Sequence, residues 1–165
     1  MRQPIKAFIN AAGVASMNLA VTTDESTVQK IIQTNLAGTI YCCQLFAPIM
    51  LRHKQGSFIN FSTIAVALAL KGESVYAASK AGVETFSRTF AREVADFNVR
   101  VNCIAPGPIR TDLLKGITDG QIEKITSQQI MPKQFEKSNV CDLVELLIDD
   151  RASSLSGQVL NIGGV

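Results

Sequence analysis

The stretch "ESVYAASKAGVETFSRTFAREVADFNVRVNCIA", residues 73–105, decides the fold. Val75, Val83, Phe86, Phe90 and Val94 recur at helical intervals, which predicts one long helix from residue 73 to 96 with a single buried face. "DFN" (96–98) breaks it. "VRVNCIA" (99–105) is then an apolar run of strand length, stopped by Pro106, Gly107 and Pro108.

The same alternation extends outward. "SFINFS" (57–62) reads as a buried strand. Before it, Thr23 or Asp24 can cap a helix whose apolar positions run from Val28 through Ile31, Ile32, Leu36, Ile40, Leu45 and Phe46 to Ile49, with Pro48 and "HKQG" marking its end. "IKAFINAAG" (5–13) is a strand ending in a turn. After a polar stretch (111–137), "NVCDLVELLIDD" (139–150) is a helix and "SGQVLNIGG" (156–164) a turn and final strand. The order β-α-β-α-β-loop-α-β predicts an α/β fold, a parallel sheet with helices on both faces, because each crossover must bury its helix. The chain reads as a single domain, 1–165, without repeats or linkers.

Composition excludes several classes. Apolar residues make up 47% and charged residues 18%, with a formal charge of +2 and no basic stripe, so nucleic acid is not an expected partner. The longest purely apolar run, "IAVALAL" (64–70), is far shorter than the ~20 residues of a membrane span, and the N-terminal segment lacks the pattern of a signal peptide. No membrane association and a cytoplasmic location are the expectation. Cys42, Cys43, Cys103 and Cys141 form no C-x-x-C pair, and His53 is the one histidine, so reduced thiols are expected and no metal site. A Ser-His-Asp hydrolase is disfavoured for the same reason.

Tyr76 and Lys80 stand four residues apart and so share a helix face. A free phenol has a pKa of ~10. A cation ~5 Å away at an effective dielectric of ~20 favours phenolate by ~3 kcal/mol, which moves the group toward useful acid–base range. Ala77, Ala78, Ala81 and Gly82 leave room beside the pair. The alternative is a chance pairing on a solvated helix, and the motif alone does not choose between them.

The surrounding stretches do. "INAAG" (9–13), "TNLAG" (34–38), "INFST" (59–63), "YAASKAG" (76–82), "VNCIAPGPIRTD" (101–112) and "SGQVLNIGG" occur in the order of the short-chain dehydrogenase/reductases, and the chain resembles the carbonyl and 3-oxoacyl-thioester reductases of that family over essentially its whole length. The resemblance implies a catalytic set of Asn35, a strand-end hydroxyl, Tyr76 and Lys80. Tyr76 would protonate the carbonyl oxygen. Lys80 would lower the phenol's pKa and hold the nicotinamide ribose, and Asn35 would anchor a water between Lys80 and solvent. The family hydroxyl lies thirteen residues before the Tyr, which is Thr63; Ser62 is the second candidate, pointing the opposite way if the strand is still extended there. Cofactor contacts would come from Asn10, Ala11, Ala12 and Gly13, from Tyr76 and Lys80, and from Pro106, Gly107, Ile109 and Thr111. Ala11 replaces a family Asn, and Ile162 stands where the family commonly has Asp.

The resemblance also implies a glycine-rich pyrophosphate turn near the start, and no G-x-x-x-G-x-G run is present. This leads to the expectation of an N-terminally truncated member: the C-terminal part of a Rossmann-like doubly wound sheet, family strands 4–7, with the first βαβαβ half missing. An exposed apolar edge at "IKAFIN", weak dinucleotide binding and low turnover would follow. The function implied is hydride transfer between NAD or NADP and a carbonyl or alcohol substrate, with a 3-oxoacyl thioester as the favoured class and the choice of dinucleotide not readable. The competing reading is a non-catalytic remnant acting as a dimerisation module. The family's pairing of its two long helices (here 24–50 and 74–96) implies a homodimer or homotetramer in either case.

Overall fold

The structure, a computed structural model, describes residues 4–114 and 116–165. Four strands, β1 (Ala7–Asn10), β2 (Gly56–Phe61), β3 (Val99–Ala105) and β4 (Val159–Asn161), lie side by side in that order and all pair in parallel. Phe58 stands opposite Val101, and Phe8 opposite Phe58. β2 and β3 are central and almost wholly buried, as their near-continuous apolar runs require of strands covered on both faces.

The helices are α1 (Glu25–Ile31), α2 (Gly38–His53), α3 (Ala65–Leu68), α4 (Ser74–Val94), α5 (Asp119–Thr126) and α6 (Lys137–Ile148). Asp24 caps α1 by accepting the Thr27 N–H. Between α1 and α2 the chain widens into a π-helical turn, Ile32–Ala37, so that 25–53 is one continuous helical run. Pro48 lies inside α2 and does not end it; the helix stops at Lys54, whose left-handed backbone lets its N–H bond the Leu51 and Met50 carbonyls. In the polar stretch 111–137, α5 forms on a capping box between Thr118 and Gln121.

Side chains alternate across the sheet and split the core in two. On one face Phe58, Val99 and Val101 meet Cys43, Ala47 and Met50 of α2 and Phe90, Ala91 and Val94 of α4. Phe90 meets Phe58 edge-on at 5.5 Å and stacks on Phe86 at 5.3 Å; Phe8 stacks on Phe46 at 4.3 Å. On the other face Ile59 and Ile104 meet Leu147 of α6. Ile162 is buried in this second cluster, so the residue found in place of the family's Asp is a packing residue here. By length and composition the run Glu25–His53 could also cross a bilayer, a possibility the longest-apolar-run argument overlooks; its Cys43, Ala47 and Met50 are core residues.

The expectation of half a fold with strands missing is corrected. The four strands make one unbroken parallel Rossmann-type sheet, hydrogen-bonded from neighbour to neighbour and flanked by α2 and α4 on one face and α6 on the other. The edge strand β1 is anchored by the Phe8–Phe46 stack.

Phe58 is fully buried at the junction of sheet and helices. Phe58→Ala is expected to lower the unfolding free energy by about 3–5 kcal/mol. Val21→Ala, at a position 91% exposed, should change it by less than about 0.5 kcal/mol. Chemical denaturation of the two variants checks this; similar losses would show that the Phe cluster is not the core.

Candidate active site

The carboxyl ends of β1, β2 and β3 open into a cavity of about 1490 Å³. This exceeds the ~300–1,000 Å³ of a pocket for one small ligand. Tyr76 and Lys80, on the first turns of α4, both line it and both are buried. Gly82 lets α4 approach the π turn: a Cβ there would stand 2.9 Å from the Leu36 side chain.

Lys80 Nζ donates to the Phe61 carbonyl at the end of β2, 2.9 Å away. Burial holds its ammonium down to about 8. Burial likewise pushes the Tyr76 phenol up to about 12, and the Glu73 carboxylate pushes in the same direction. This corrects the sequence-based expectation of a phenol lowered by Lys80. Burial governs both groups, and the ammonium is spent on a backbone carbonyl. One contact draws the phenol back down, the hydrogen bond from the Thr63 hydroxyl. Thr63 Oγ1 accepts the Ala65 N–H at 3.2 Å, which leaves its proton for Tyr76.

Ser62 turns elsewhere: its hydroxyl donates to Glu84 at 2.6 Å, and Glu84 lies 3.8 Å from Arg88. Asn35 is fully buried in the π turn and does not line the cavity. Its Oδ1 accepts the Val14 N–H at 2.8 Å, while its Nδ2 donates to the Val14 carbonyl at 2.9 Å and to Ser79 Oγ at 3.0 Å. Ser79 in turn donates to the Tyr76 carbonyl at 2.7 Å. Asn35 thus ties the loop after β1 to the helix that carries Tyr76 and Lys80. Asn10 is buried and bonds the Thr39 carbonyl at 3.4 Å; neither it nor the exposed Ala12 lines the cavity.

Ala11, Gly13, Pro106, Gly107, Ile109 and Thr111 do line it. A Cβ on Gly13 would come within 3.4 Å of both Asn35 Oδ1 and Lys80 Nζ, so the bare backbone keeps that wall open. A Cβ on Gly107 would collide with the Gln129 amide. Three participants escaped the sequence reading. Glu73 lies one helical turn before Tyr76, a spacing that could have revealed it. Ser79 and Gln129 act through contacts 44 and more than 20 residues away in sequence, and no local pattern marks them. Among the described residues no group of three or more His, Cys, Asp or Glu gathers to hold a metal.

The profile of the family described as "Enoyl-(Acyl carrier protein) reductase" matches residues 3–164. The chain belongs to the short-chain dehydrogenase/reductase family. Members of this family are NAD(P)-dependent oxidoreductases. The chain is 32% identical over 160 residues, 97% of its length, to the 3-oxoacyl-(acyl-carrier-protein) reductase FabG of Staphylococcus epidermidis, and it spans 66% of that relative's length. A solved short chain dehydrogenase/reductase family protein superimposes with a TM-score of 0.88 at 30% identity, covering 96% of this chain and 66% of the other. A 4-hydroxyisoleucine dehydrogenase mutant complexed with NADH and succinate gives 0.88 at 26% identity, over 96% of this chain and 67% of that one. The expectation of an N-terminally truncated family member is corrected to what the match shows: the family profile aligns with residues 3–164, nearly the whole chain.

The buried pair gives stability a pH signature. Below about pH 8 Lys80 is charged in folded and unfolded chains alike, and its burial penalty is fully present. Between about 8 and its ordinary 10.5 the folded chain releases this proton first, so stability rises with pH. Above 10 the unfolded phenol ionises first, and stability falls. Cys43 and Cys103, pushed up to about 12 and about 11 by burial, add a fall beginning near 9. Denaturation of wild type and Lys80→Met from pH 7 to 10.5 isolates the first effect. The difference between them should change by up to about 3 kcal/mol, with wild type gaining on the variant as pH rises; parallel curves would show that Lys80 is not desolvated.

Proposed function

We propose that this chain carries out carbonyl reduction and its reverse, with Tyr76 as the general acid and base. The observation that carries the reading is that Thr63, Tyr76 and Lys80 line one wall of the same cavity, with the Thr63 side chain drawing the phenol's pKa down. A phenol held near 12 is fully protonated at neutral pH, the state a proton donor needs.

The residues present fit a nicotinamide dinucleotide. Gly13 leaves bare backbone beside Lys80, Gly107 and Ile109 also line the cavity, and it has room for a second molecule. When bound, the dinucleotide supplies or accepts the hydride. The chain's own residues do the rest. Tyr76 gives its proton to the carbonyl oxygen as that oxygen gains the electron pair of the breaking C=O π bond. The phenolate left behind is stabilised by the Thr63 hydroxyl and the Lys80 ammonium. Asn35 and Ser79 hold the helix and the β1 loop in register, and Thr111, which lines the cavity, is assigned to a cofactor phosphate. Ser62, bonded to Glu84, is the weaker hydroxyl candidate.

The substrate is a small carbonyl or alcohol. The name of the staphylococcal relative favours a 3-oxoacyl thioester, and the dehydrogenase solved with NADH favours a smaller polar ketone. NAD and NADP are both admitted. A homodimer is the proposed assembly, since Tyr41 and Leu45, four apart on α2, are 64% and 69% exposed and form an apolar strip.

NADPH and NADH oxidation with acetoacetyl thioesters and with small ketones tests the reading. Tyr76→Phe is expected to lower kcat by about 100-fold or more, with KM changed little. Equal rates in wild type and variant would remove Tyr76 from the reaction.

A further inference from the structure

Glu73 stands immediately before α4, three residues ahead of Tyr76 and on the same helix face. It lines the cavity beside Tyr76, yet only 8% of its surface is exposed. An acid at this position commonly caps the helix by accepting a backbone N–H, but Glu73 makes no such bond. Its backbone is engaged, the N–H with the Leu70 carbonyl at 3.2 Å and the carbonyl with the Ala77 N–H at 2.7 Å. Its carboxylate makes no hydrogen bond or ion pair among the described residues. Lys80, the buried cation of the site, is bonded to the Phe61 carbonyl. Glu84, the other acid beneath the site, has both the Ser62 hydroxyl and Arg88.

A carboxylate taken out of water without a partner is costly, and folded proteins pair such groups or neutralise them. Burial raises the Glu73 carboxyl above the ordinary range, and the same charge makes the Tyr76 phenol harder to ionise. Among the described residues no side chain donates to the carboxylate to relieve either effect, and its oxygens keep some contact with solvent. Glu73 and Tyr76 line the same cavity, in which a reacting carbonyl must lie to meet Tyr76, so a donor on the ligand can relieve both.

We propose that Glu73 is a specificity-determining residue that selects substrates carrying a hydrogen-bond donor, hydroxyl or ammonium, on the carbon next to the reacting carbonyl. This rests on the carbonyl-reductase reading and narrows it. An acetoacetyl thioester has no such donor beside its ketone and is the poorer substrate; a 2-hydroxy or 2-amino ketone is the better one. Ammonium pairs with the charge as well as the lone pairs, and hydroxyl with the lone pairs alone.

The test uses butan-2-one, 3-hydroxybutan-2-one and 3-aminobutan-2-one with wild type, Glu73→Gln and Glu73→Leu. The readout is the ratio of kcat/KM between donor-bearing and plain ketone within each protein, which a general loss of folded enzyme does not move. Wild type should favour the donor-bearing ketones by about tenfold or more. Glu73→Gln should keep most of the hydroxyl preference and lose the ammonium preference, and Glu73→Leu should lose both. Calorimetric titration of the same three ketones gives an arm independent of turnover. If no ketone is reduced but wild type binds the donor-bearing pair more tightly and Glu73→Leu does not, the carbonyl-reductase reading fails and the assignment of Glu73 stands. Equal ratios in wild type and Glu73→Leu, or no preference by wild type in either arm, overturn the assignment.

Discussion

The 2.9 Å bond from the Lys80 ammonium to the Phe61 carbonyl joins the one helix and the one strand on which the site depends. A strand-end carbonyl facing a cavity needs a donor, and a lysine buried one turn after Tyr76 needs an acceptor. Each satisfies the other. The result fixes the first two turns of α4 over the end of β2, and it places the phenol of Tyr76 against Thr63, two residues beyond Phe61. Asn35 and Ser79 close the arrangement from the far side by binding the β1 loop to the same helix.

This constraint also sets the electrostatics. The simple expectation, a cation lowering a neighbouring phenol, uses only Coulomb attraction at an intermediate dielectric. In the folded chain both groups are withdrawn from water, and withdrawal disfavours each charged form separately. The site therefore rests with a protonated phenol and an easily deprotonated amine. That is the protonation state the proposed role of Tyr76 requires. Glu73 biases the balance further toward the neutral phenol, and Thr63 against it.

Much of the architecture was legible in the sequence because the central strands are buried on both faces. "SFINFS" and "VRVNCIA" are apolar without alternation, and the helices between them carry apolar residues at helical spacing, so the parallel α/β order follows from burial alone. The polar helix α5 and the π turn were not legible. The first depends on a capping box in a stretch with little apolar signal, and the second is a local widening of a run whose apolar spacing reads as ordinary helix. The same distinction divides the site. The spacing of Tyr76 and Lys80 puts them on one helix face, and Thr63 is reached through the family resemblance. Ser79's link to Asn35 and Gln129's contact with Gly107 cross the chain. The expectation of half a fold failed because the absence of one glycine motif says nothing about whether the strands present pair into one continuous sheet.

Ultraviolet titration of the phenols tests the desolvated pair most directly. The chain has two tyrosines, and Tyr41 is exposed, so a Tyr41→Phe variant leaves only Tyr76 to absorb as phenolate. The account predicts a midpoint near 12, with only about a tenth of the signal present at pH 11. A midpoint at or below the ordinary value of about 10 would show that attraction to Lys80 outweighs burial, and would contradict it.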